Sequence, residues 1–244
     1  MNVHSVNINT QKQPVFGHNN PWADSPYKRG EQVLIAGTTA LGVLGSMAVL
    51  AKLKGASIKP NKLFGSIKNY WKYTEFDDKP IIAIGAGSCL GGLVGGCIVD
   101  RDKENRKAKL REALLQMFNI SIPILFVEAL AGLGAKTGKK YFEKGVKETY
   151  RTKLPKAVGG VIGLFAGVFS ANIIANKINE KIFHRGKGRP VQASDFSAHL
   201  DDMCFTARQI STSKITDYIQ KLVPIALMIA GNEVGNTSAA NVDS

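Results

Sequence analysis

Four stretches of the chain carry long apolar runs with no polar face recurring at helical spacing. They are Val33 to Ala51, Ile81 to Val99, Leu114 to Ala135 and Ala157 to Asn176. Each approaches or reaches the roughly 20 residues that a helix needs to cross a hydrocarbon core. Helices of a soluble protein show polar residues on one face with a 3.6-residue period, and the remaining segments supply no shell large enough to cover four unfaced runs. The pattern predicts an all-α, multi-pass membrane bundle with four spans. A fifth run, Leu222 to Asn232, has eleven uncharged residues with Pro224 near its start. It is short for a span, so an interfacial, re-entrant or partly buried helix is expected there.

The polar segments divide the chain into three parts. Residues 1–32 read as a disordered leader, rich in Asn, Pro and Gly and without apolar period. This leader lacks the early apolar core of a secretory signal peptide, so the first run would serve as an uncleaved anchor. Residues 33–176 form the four-helix transmembrane domain. Residues 177–244 combine a basic loop "FHRGKGRP", an amphipathic helix with Ser194 as N-cap and Asp195 at its positive end, the short apolar run and a frayed tail.

Fifteen of the 25 glycines fall inside the four spans. Glycine costs about 1 kcal/mol relative to alanine in a water-exposed helix, but between helices in lipid a small residue lets backbones approach closely. The second run carries two stripes at four-residue spacing, Gly87, Gly91, Gly95 and Ser88, Gly92, Gly96. The fourth carries Gly159, Gly163, Gly167 and Ala171. These stripes resemble the glycine-zipper motif of many unrelated membrane proteins, which is a packing motif and implies close helix contact. A helix flat on two adjacent faces is expected at the centre of the packing. A shift of 75 residues places Gly85, Ser88, Gly92 and Gly96 on Gly160, Gly163, Gly167 and Ala171, suggesting a duplicated two-helix hairpin.

Charge alters the expected partner more than the fold. A net charge of +13 favours nucleic acid or anionic lipid. Beside apolar runs, with no nucleic-acid recognition pattern, anionic membrane lipid is the expectation, and nucleic acid is not. "LFGSIKNYWKY" sets Tyr70 and Trp71 among Lys62, Lys68 and Lys72, as an interfacial helix does when it offers rings to the lipid boundary and ammonium groups to phosphates. Counting Lys and Arg on alternate loops gives 15 against 17, so the positive-inside rule assigns no orientation.

Candidate chemistry is sparse. Glu128 is the one ionisable residue inside the four runs, and it should face a partner, a wet cavity or a proton. Ser121 falls on nearly the same face; Asn119 lies on another, where Pro123 frees its carbonyl, and Asn172 of the fourth run is a possible partner. "DRDKEN" begins like a calcium loop but lacks the glycine and the closing carboxylate, and "GAKTGKK" lacks the spacing of a phosphate loop. Cys89, Cys97 and Cys204 fit neither a disulfide framework nor, with the scattered histidines, a metal site. No catalytic constellation and no cofactor are expected. The functional expectation is a non-enzymatic integral membrane protein acting through lipids, a membrane-protein partner or its own copies. The alternative is a small channel or transporter with a polar path near Glu128.

Overall fold

The computed structural model describes residues 26–55, 78–142, 150–183 and 223–239. Within them every extended element is an α-helix: α1 (Arg29–Leu53), α2 (Asp78–Val99), α3 (Lys103–Phe142), α4 (Tyr150–Lys181) and α5 (Val223–Asn236). The chain is a multi-pass helical bundle, and α1 to α4 are each long and apolar enough to cross a membrane. The basic aromatic segment with Lys62, Lys68, Tyr70, Trp71 and Lys72, and the Ser194 helix of the tail, lie outside the described residues.

Local signals set the helix ends. Glu31 accepts a hydrogen bond from the Lys28 amide at 2.8 Å, closing the first turn of α1, and Gly55 takes the left-handed conformation (φ 85°) just past its end. Asp102 caps α3, its carboxylate accepting from the amides of Glu104 and Asn105 at 2.9 and 3.0 Å. Pro80 and Pro224 sit in first turns, where the missing N–H costs nothing, whereas Pro123 lies inside α3. Helix α1 begins at Arg29, before the apolar run, because the Glu31 cap and the anchoring of Tyr27 give that turn partners that hydropathy does not reveal.

Close approaches through glycine fix the packing order. On α2, a methyl added at Gly87, Gly91 or Gly95 would overlap the backbone or side chains of Gly42, Ser46, Thr38 and Ile35 on α1, so these helices are antiparallel. On α4, Gly159, Gly163 and Gly167 sit on the backbone of Leu130, Phe126, Val127 and Pro123, pairing α4 antiparallel with α3. Ala171, next on that stripe, is 1% exposed. The second stripe of α2 serves α5: Gly92 meets the Gly231 carbonyl, Gly96 the Gly235 carbonyl, and Ser88 Oγ donates to Leu227 O at 2.6 Å. These pairs rise together, so α5 runs parallel to α2.

Helix α2 touches α1, α3 and α5, and half of its apolar window is buried (50%) against 22% in α1 and α3. The core between them joins Val43 and Met47 of α1, Ile81 and Ile84 of α2, Ile124 of α3, and Val223 and Leu227 of α5. The two hairpins place their glycines alike, but in a different register from the 75-residue match. The stripes that face the hairpin partner stand 72 apart, from Gly87 to Gly159, because Ser88, Gly92 and Gly96 are taken up by α5.

Candidate functional site

At forty residues α3 is about 60 Å long at 1.5 Å per residue, twice the thickness of a hydrocarbon core. Its first three turns therefore stand beside the end of α2 with charged side chains, and a polar cluster forms where they meet the residues before α1 and after α5.

Lys109 is the centre of that cluster, with a side chain fully buried against Gly96. Its ammonium donates to Tyr27 Oη at 2.5 Å and to the Thr237 carbonyl, lies 4.6 Å from the Tyr27 ring centroid, and stands 4.0 Å from Asp100 Oδ2. Asp100, in the turn between α2 and α3, accepts from Tyr27 Oη at 2.6 Å, from Asn105 Nδ2 at 2.8 Å and from the Asp102 amide at 3.0 Å. Asn105 Oδ1 accepts from the Ala239 amide at 2.8 Å, and Arg106 donates to the carbonyls of Cys97 and Asp100. Three separate stretches of chain, before α1, from the end of α2 into α3 and after α5, are thereby tied together. A buried lysine is costly unless it is paired and hydrogen-bonded, and here each requirement is met.

Burial works against ionisation of Asp100, but the hydrogen bonds from Tyr27, the Asp102 amide and Asn105, with the charge of Lys109, outweigh it. They hold the carboxyl below the usual carboxylate range. Burial, then the hydrogen bond to Asp100, pushes the Tyr27 phenol above its ordinary value, so it stays a neutral donor.

Two turns deeper, Gln116 bridges two carboxylates, its amide nitrogen donating to Glu112 Oε1 at 2.9 Å and to Glu233 Oε2 at 3.0 Å. Asn232 Oδ1 is buried without a hydrogen-bond partner among the described residues. From the sequence alone, Asn232 and Glu233 look like a solvated helix end. They are instead packed, because Gly231 and Gly235 bring α5 down onto α2.

Glu128 lies elsewhere. It is exposed on the outward side of α3, one position from the buried Val127 that faces α4, and makes no hydrogen bond or ion pair among the described residues. Ser121 and Asn119 are half-buried on the same helix. Asn172, also half-buried, accepts from Asn176 Nδ2 at 3.0 Å and not from α3. The four residues form no joint site. The sequence signals that could have marked the true polar seam are weak: Glu112 and Gln116 one turn apart, and the small residues Gly231 and Gly235 continuing past the fifth run.

Among the described residues no cluster of three or more His, Cys, Asp or Glu side chains could hold a metal ion. Comparison of the chain with protein-family models, with curated proteins and with solved structures finds no match in any of the three.

Proposed function

We propose that this chain is a non-enzymatic integral membrane protein, a glycine-zippered helical scaffold that acts through lipids or a membrane-protein partner, a second copy included. The observation that carries this reading is the exterior. Leu41, Val49, Leu90, Phe165, Phe169 and Ile173 are all half or more exposed, on helices that pack against one another through Gly42, the α2 stripes and the α4 stripe. In water such a surface would be a large aggregation hazard; in a bilayer it is the natural outside.

A second reading, a small channel or transporter, draws on the Glu112–Gln116–Glu233 seam, since an ionisable group among membrane helices is a candidate relay. Glu128 serves that reading less well, facing out of the bundle. Reconstituting the full chain in vesicles and following proton and potassium flux separates the two. The scaffold reading expects flux no greater than in protein-free vesicles. A flux that Glu233→Gln abolishes and Glu128→Gln leaves intact would replace it with the second.

A further inference from the structure

We infer that the end of the bundle formed by the residues before α1 and the α2–α3 turn is a binding surface for anionic phospholipid headgroups, assembled by the Tyr27–Asp100 hydrogen bond. The inference rests on the membrane reading above and gives it a place on the molecule.

The surface follows from how the charges at this end are spent. Among the described residues of these two segments each acid has a partner: Glu31 the Lys28 amide, Asp102 the amides of Glu104 and Asn105, Asp100 Tyr27, Asn105 and the Asp102 amide, and Glu104 Lys107 at 2.8 Å. The cations Lys28, Arg29, Arg101 and Lys103 are exposed and have no ion pair among the described residues. Asp100 and Asp102 are turned to hydroxyl, amide and backbone N–H groups and Glu104 is tied to Lys107, which leaves the four cations exposed at the surface. Lys28 and Arg29 stand at the start of α1, Arg101 in the α2–α3 turn and Lys103 at the first position of α3. They become neighbours because Tyr27 Oη reaches Asp100 at 2.6 Å and Lys109 holds both from beneath.

What distinguishes lipid from any other polyanion is the surface immediately below. Within about one to two helical turns of these cations stand Val33 (62% exposed), Leu34 (43%), Ile98 (57%) and, on α3, Leu110 (48%). Cations set directly above exposed apolar side chains match the order of a phospholipid, phosphate above acyl chain. Nucleic acid or an acidic soluble protein would meet the same charges but leave that apolar band uncovered.

The test uses the full chain reconstituted in phosphatidylcholine vesicles, with spin-labelled phosphatidylglycerol and spin-labelled phosphatidylcholine as probes of the motionally restricted lipid. A preference for phosphatidylglycerol of about fivefold is expected from a single well-placed cation, and it should fall toward parity in Arg29→Gln/Arg101→Gln. Tyr27→Phe removes no charge, and Asp100→Asn makes the chain more positive. Both should nevertheless weaken the preference, because they release the two segments from each other. A preference unchanged in the double variant, or strengthened in Asp100→Asn, would overturn the inference, the second result showing that net charge alone attracts the lipid. So would a chain that shows no lipid preference and instead binds RNA when solubilised in detergent. Carbonate washing of the same vesicles separates the two levels of failure. A chain retained without preference sinks only the headgroup surface, whereas a chain washed out sinks the membrane reading beneath it.

Discussion

A single added methyl distinguishes the glycines that pack from those that do not. Gly92 and Gly163 lie on the backbones of neighbouring helices, while nothing stands within 4 Å of a Cβ at Gly45 or Gly132. Backbone cannot move aside as a flexible side chain can, so Gly92→Leu and Gly163→Leu should each destabilise the bundle by about 3 kcal/mol or more, at or beyond the upper range of overpacking. Gly45→Leu should be nearly neutral. Thermal unfolding in detergent checks the contrast, and equal losses at all three positions would refute the packing order. Asp100 gives a pH prediction of defined sign. Its folded pKa lies below the unfolded value, so its contribution is fully present above about pH 4 and is lost as pH falls through the lower folded value. Asp100→Asn should therefore be less stable than the parent chain near neutrality, and the gap should close in acid. Parallel stability curves from neutral to acid pH would contradict it.

Among the elements, α5 shows what patterning along the chain can and cannot disclose. Its apolar start is plain in the sequence, but its partner is not. The partner is fixed by Gly231 and Gly235 meeting Ser88 and Gly92, a match between two distant segments that no local period records. The same gap explains Glu233: beside an apparent end of the run it reads as solvated, and only the docking of α5 turns it toward Gln116. It also explains Glu128, where run length locates an ionisable residue in a span without saying which way the helix faces. The stripes on α2 and α4 were legible as packing surfaces because glycine at four-residue spacing has few other uses in lipid. Which stripe meets which helix was not. Docking of α5 has a direct readout in Cys89, which is buried against Ala113 and Val234. Gly235→Leu would strike Ile35 and the Gly92 carbonyl. It should make Cys89 reactive toward N-ethylmaleimide where the parent chain resists; continued protection would mean that α5 tolerates the insertion and is not seated by this contact.

The assembled bundle fixes relationships between its ends that loop charge left open. Tyr27 bonds to Asp100, and Lys109 to Thr237, so the residues just before α1 and just after α5 meet at one end. Residues preceding Tyr27 and following Ala239 should accordingly emerge on the same side of the membrane. Glycosylation acceptor sites introduced before Tyr27 and after Ala239 should report one sidedness, and opposite reports would break the topology. Every one of these expectations presupposes that the apolar exterior faces lipid. Alkaline carbonate extraction of membranes from cells expressing the full chain tests that most directly. The bundle described here predicts retention in the membrane pellet; release of the chain into the supernatant would contradict it.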